Sequence, residues 1–292
     1  MDTEATLSAR SIRATAGSRT VRALGPVALF LVLAVLMTWP LAGDLGGSMI
    51  YGMADNGRSI TPDAGVSRWD LWWFKTALLG EHTDPFYTDR LYYPYRDAAA
   101  PLPLYYHTLQ PLNGLLALPV LLLAGPTVGP TLAYNLLLLL HLVLTSLGMY
   151  WLVYYLTGSA GGGLMAGVLF SFGAFHRYHI HEAQLELMAL EWLPLGVLFM
   201  HRWLYLPEGE RRPRDGLLAV GCLLGATFTS WYLALYLLGA VGLLALVRLA
   251  ERPASSGGRC SRPAWCWGHG QPSPRHSCAT RSAQAATRRS SW

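Results

Sequence analysis

Lysine is almost missing from this 292-residue chain: Lys75 stands alone beside 21 arginines. Charge of either sign is scarce, at 13% of residues, where soluble domains carry about 25%. Between Ala98 and Phe175 there is no Asp, Glu, Lys or Arg at all. A soluble fold has no need of such a stretch, whereas lipid-facing helices require it. The expected class is therefore all-α, a polytopic transmembrane helix bundle in a lipid bilayer.

The last 40 residues lack something different. From Pro253 to Trp292 there is no Leu, Ile, Val or Met and no acid, but six arginines. Setting those six aside leaves 16 basic against 17 acidic residues, so the net charge of +5 belongs to the tail and does not imply a nucleic-acid partner. Cys260, Cys266 and Cys278 also lie there with His269 and His276, without the close cysteine pair that structural zinc sites use. With one lysine in the whole chain, the gene reads as GC-rich, and an out-of-frame reading beyond Arg252 would yield this residue mixture. The expectation is a frameshifted tail over 251–292 on a protein that naturally continues into further helices; the competing reading is an ordinary disordered basic tail.

Ala23 to Ala42 is an uncharged run of 20 residues preceded by Arg10, Arg13, Arg19 and Arg22, long enough to cross a core of about 30 Å. The positive-inside rule places the tail 1–22 in the cytoplasm. A cleaved signal peptide competes, but the run is long for one and Leu41-Ala42-Gly43 is a poor cleavage site, so a retained helix in the plasma membrane is expected. Further spans are expected at Leu132–Leu156, Gly158–Phe175 and Leu187–Leu204. Gly216–Val247 is 32 residues, about 48 Å as one helix, and is expected to break into a hairpin at Thr229-Ser230. Leu112–Gly125 is short and holds Pro119, which suits a non-crossing segment. Parity agrees: the amino terminus and the arginines around Arg212 share a side only if Leu112–Gly125 does not cross. Within the membrane region 23–250, the loop 43–111 and the shorter loop from Phe175 to Glu186 then face outward together.

The long loop mixes acids with aromatics. Trp69 to Leu79 reads as an amphipathic helix with Trp69, Trp72, Trp73, Thr76 and Leu79 on one face, either an aromatic belt at headgroup level or a surface for stacking sugar rings. Its aspartates can accept a proton from a hydroxyl or hold a divalent metal. In the second loop, His176, His179, His181 and Glu182 invite a metal reading, although alternate spacing suits a strand. A polar interfacial cap is the plainer one, and Arg177 is placed to meet lipid phosphate. His141 reads as a packed residue, and Glu191 as an acid a few residues inside its span.

The series Asp63-Ala-Gly-Val-Ser-Arg-Trp69-Asp-Leu-Trp72-Trp73 to Leu79, Asp84-Pro-Phe-Tyr-Thr88, Leu91-Tyr-Tyr-Pro94, His107-Thr-Leu109, Pro111-Leu-Asn113-Gly114, Ala133-Tyr-Asn-Leu136 and Glu191-Trp-Leu-Pro-Leu195 resembles bacterial polytopic membrane glycosyltransferases of the GT-C type over about residues 25–250. The resemblance implies transfer of a sugar from a polyprenyl-phosphate carrier to an acceptor outside the cytoplasm. Asp63 would be the catalytic base or a metal ligand. Asp70, Asp84, Arg90, His107, Arg177, His181 and Glu182 would bind substrate. Members of that group carry more spans than this chain, which the frameshift expectation accommodates. A transporter or flippase, or a non-catalytic membrane assembly protein, is the alternative; transport would be marked by ionisable groups within the spans.

Overall fold

The structure, a computed structural model, describes residues 24–50, 63–91, 101–107, 109–207 and 209–251. The amino-terminal tail, the arginine- and cysteine-containing tail from 252 onward, and loop residues such as Asp55, Tyr92 and Tyr93 lie outside them. The described chain is mostly helical: α1 (Leu24–Met37), α2 (Asp63–Lys75), α3 (Pro111–Leu123), α4 (Gly125–Thr157), α5 (Ala160–Ser171), α6 (Ala174–His181), α7 (Trp192–Tyr205), α8 (Pro213–Thr229) and α9 (Trp231–Ala250). The strands are short, Tyr87–Thr88 (β1) and Leu102–Pro103 (β2), paired antiparallel.

Among the described residues, α4 and α9 are long and apolar enough to cross a membrane. The break between α8 and α9 falls at Ser230, as the length of the uncharged run requires. Helix α1 ends sooner than its apolar run, because Pro40 offers no backbone donor and the Thr38 hydroxyl turns back to the Ala34 carbonyl at 2.8 Å. Helices α5 and α7, at 12 and 14 residues, are shorter than the apolar runs that hold them, and would each measure about 18–21 Å.

Small residues set the packing directions. Gly163 lies against Tyr150, and Gly167 against Ser146 and the Phe30 ring, so α5 runs antiparallel to α4. A Cβ at Gly167 would sit 2.7 Å from the Ser146 carbonyl oxygen, too close for any side chain. Gly148 meets Pro194, and the Tyr155 hydroxyl meets His201 Nδ1 at 3.2 Å, so α7 runs parallel to α4. Helix α8 returns along α7, with Gly225 under Trp192 and Arg202 donating to Asp215 at 3.2 Å. Helix α9 follows α7 again, with Leu237 at Gly196 and Arg248 donating to the Leu204 carbonyl at 3.1 Å.

Helix α3 pairs with a different part of α4. Gly129 packs on Leu121 and His141 bonds to Asn113, so α3 lies antiparallel along the first half of α4 while α5 and α7 use the second half. At 33 residues, α4 is about 50 Å long and serves both layers. The chain following α1 is tied to the α3 layer, since Asn135 Nδ2 donates to the Leu45 and Ser48 carbonyls, both at 2.7 Å. Large apolar side chains stay bare along α8 and α9, among them Leu217, Leu224, Phe228, Leu235, Leu243 and Leu246.

Candidate functional site

Helix α2 begins six residues earlier than its tryptophans imply. Asp63 therefore sits in its first turn, where a negative charge is favoured by the helix dipole. Asp63, Ser67, Asp70 and Phe74 are spaced four, three and four apart, which lines them along one face. That face docks on the second loop and on α3. Gln184 donates to Asp63 Oδ2 at 2.8 Å, and the Ser67 hydroxyl donates to the Ala183 carbonyl at 2.9 Å. Asp70 Oδ1 meets His107 Nε2 at 2.7 Å, and the Phe74 ring lies on Gly114. Ala183 holds a left-handed φ of 56°, which presents its carbonyl to Ser67.

The tryptophans occupy another side of α2. Trp69 and Trp73 stack at 5.8 Å, but Trp73 is 1% exposed and forms a small core with Ala77, Leu104 and Leu109. Its indole donates to the Pro85 carbonyl at 3.0 Å. Folding of residues 101–107 over α2 thus uses Trp73 to build the loop, and of the three tryptophans only Trp69 and Trp72 remain partly open, beside Arg68 and Pro130.

Asp70, Glu186 and His107 share one environment. Burial pushes the Asp70 carboxyl up to about 6, against the opposing hydrogen bond and charge of His107. Burial likewise pushes Glu186 up to about 7, with its own backbone hydrogen bond opposing and the charges of Asp70 and Asp63 adding to the rise. His107 is raised above the ordinary histidine range by its hydrogen bond to Asp70, against partial burial. Gln110 also opposes the rise of Asp70 as a hydrogen-bond donor, and the buried Tyr134 hydroxyl, without a hydrogen bond, faces Glu186. From Glu186 a polar chain leads inward. Gln110 donates to Glu186 at 3.4 Å, Asn113 donates to Gln110 at 2.8 Å, and Asn113 Oδ1 meets His141 Nε2 at 3.1 Å. His141 Nδ1 then meets Glu191 Oε1 at 2.8 Å, and Thr145 donates to Glu191 at 3.2 Å.

The residues expected to bind substrate do not all converge. Asp63, Asp70 and His107 join the cluster. Asp84 caps a turn by accepting from the Phe86 amide at 2.9 Å, and Arg90 pairs with Glu81 and Asp89. With Trp73 and Tyr87, the acids Glu81, Asp84 and Asp89 line a separate cleft of about 540 Å³. Arg177 and His181 are exposed on α6, and His181 lies 3.7 Å from Glu182. Because that segment is a helix and not a strand, its histidines diverge. His176 is fully buried and is pushed down to about 4 by burial, with the Met188 and Phe170 backbone opposing, while His179 bonds to Gln184 at 2.6 Å. Among the described residues no three of His, Cys, Asp and Glu are grouped to hold a metal ion.

Glu186, Gln184, Gln110 and Asn113 are site residues that sequence reading passed over. Glu186 carried a signal, an acid at the end of the second loop just before an apolar run; Asn113 stood in the series that carries the resemblance without a role, and Gln184 and Gln110 carried none. No protein family model, curated protein or solved structure matches the chain.

Proposed function

We propose that this chain is a multi-pass membrane protein of the GT-C type that transfers a sugar from a polyprenyl-phosphate carrier to an acceptor on the outer side of the membrane. The observation that carries the reading is the meeting of Asp63, Asp70, His107 and Glu186 where the two outward loops dock. Acids and a histidine in one partly desolvated cluster suit removal of a proton from a hydroxyl near neutral pH. Trp69 and Trp72 beside Arg68 offer faces on which a sugar can stack.

Topology supports the outward placement. Helices α1, α4, α5, α7, α8 and α9 alternate in direction, as six segments entering a bilayer in turn would, and among the described residues α4 and α9 reach crossing length. Helix α3 pairs with the part of α4 that lies beyond α5, which fits a segment that does not cross. The bare apolar faces of α8 and α9 match lipid, the environment in which such exposure carries no penalty.

Reconstituted protein offered prenyl-phosphate-linked sugars tests the reading: label should move to an acceptor, and Asp63→Asn should slow that movement at low acceptor concentration. One observation favours transport instead, the buried His141–Glu191 pair, 1% and 2% exposed, since ionisable groups among apolar helices mark pathways. Sugar-lipid movement across sealed vesicles without any bond transfer would establish that second reading.

A further inference from the structure

We propose that His107, held by Asp70, is the catalytic residue that takes the proton from the acceptor hydroxyl, and that Asp63, on the same face of α2 as Asp70, is a positioning residue. The inference rests on the transfer reading and deepens it. In the step, the acceptor oxygen bonds to the sugar's anomeric carbon and the bond from that carbon to the carrier phosphate oxygen breaks. Its electron pair stays on the phosphate, and the hydroxyl proton passes to His107.

Burial runs in the order this role needs. The Asp70 side chain is 1% exposed and that of His107 24%, so the carboxylate lies inside and the imidazole reaches outward. Asp70 occupies Nε2 at 2.7 Å, which fixes the ring and leaves Nδ1 for a substrate hydroxyl. An edge-on contact with Trp69, 5.7 Å between ring centres, holds the imidazole from a second side, and Trp69 is one of the two tryptophans offered to a sugar. A buried carboxylate that orients and charges an outward imidazole is the arrangement that makes histidine an effective base. Asp63 has a different role. Its carboxylate accepts from Gln184, which in turn bonds to His179, so it clamps the two loops together.

The groups that face His107 are Asp70 on α2 and Glu186 in the turn at residues 185–187. The neighbouring side chains of Gln110, which precedes α3, and Asn113 on α3 are neutral amides, and α4 adds Tyr134 near Glu186. Because Asp70 raises His107, the basic form appears only as pH climbs above the ordinary histidine range of about 6.5.

The test uses the full chain in liposomes, a panel of prenyl-phosphate-linked hexoses and pentoses, and octyl glycosides as acceptors. Wild-type kcat should rise with pH along one limb centred above about 6.5. His107→Gln, which can still bond to Asp70, should lose the limb and about a hundredfold or more of kcat with KM little changed. Asp70→Asn should move the limb to lower pH, Glu186→Gln should move it the same way by less, and Asp63→Asn should keep it while raising KM. A limb that survives His107→Gln, or vanishes with Asp63→Asn, overturns the assignment. A second measurement needs no activity: the pH dependence of His107 carbethoxylation by diethyl pyrocarbonate, followed by mass spectrometry. Its midpoint should fall in Asp70→Asn, and an unchanged midpoint overturns the dyad. Absence of any wild-type transfer overturns the transfer reading and the catalytic role with it, while the carbethoxylation midpoint still decides whether Asp70 tunes His107.

Discussion

Gln184 donates a 2.8 Å hydrogen bond to Asp63 across 121 positions of sequence, and through it α2 and the segment that follows α5 become one surface. The same amide carbonyl meets His179 at 2.6 Å, so a single side chain joins α2 to α6. Replacing it with leucine strands both partners. Hydrogen bonds to charged groups contribute about 1.5–3 kcal/mol when made, and part of that is lost here because the site is open to water. Gln184→Leu should therefore speed amide exchange in residues 63–70 and 174–187 together by about tenfold. Acceleration in one segment alone would mean the loops are not coupled.

Docking of these loops should also weaken as pH rises. Glu186 is raised to about 7 and Asp70 to about 6, chiefly by burial. For a raised group the stabilisation is fully present below its unfolded value and is lost as pH climbs through the folded one. Protection of α2 from proteolysis should then be greatest near pH 4 and decline toward pH 7–8. Glu186→Gln should flatten the decline between about pH 4.5 and 7, since a neutral amide has no charge to desolvate. A wild-type profile that improves with pH would contradict the buried position of Glu186.

Helix α5 depends on close approach to α4. A Cβ at Gly167 would meet the Ser146 backbone carbonyl and the Phe30 ring, whereas one at Gly239 meets nothing within 4 Å. Gly167→Leu should destabilise by about 1–3 kcal/mol or more through overpacking, read as a lowered Tm in detergent. Gly239→Leu should leave Tm nearly unchanged.

Orientation is open to direct labelling. Tyr106 is fully exposed in the long loop, and Glu210 lies in the turn between α7 and α8. In a background lacking the native cysteines, Tyr106→Cys should react with an impermeant maleimide added to intact cells, and Glu210→Cys only after permeabilisation. The opposite pattern would invert the topology.

Much of the helical layout was legible in the sequence because it leaves a one-dimensional trace: uncharged runs, flanking arginines, and a 32-residue apolar run broken by Thr229-Ser230. Helix ends were less legible, as at α1, where Pro40 stops the helix inside an apolar run. The site was half legible. Asp63, Asp70 and His107 were named through the resemblance, and Glu186 and Gln184 join them only through contacts between segments far apart in the chain, which no local pattern records. His141 and Glu191 were each noticed alone, and only packing of α4 against the start of α7 makes them partners. The histidines of α6 misled by their alternate spacing, which a helix disperses around its axis.

Sugar transfer itself is the most direct measurement. Purified protein in sealed liposomes would be given radiolabelled sugar on a short polyprenyl phosphate, with acceptor glycosides outside. Wild type should yield acceptor-linked label, with loss of at least about a hundredfold in an Asp63→Asn, His107→Gln double variant that still inserts and elutes as wild type. Equal transfer by that variant, or label that crosses the bilayer without ever joining an acceptor, would contradict a catalytic cluster at the junction of the two loops.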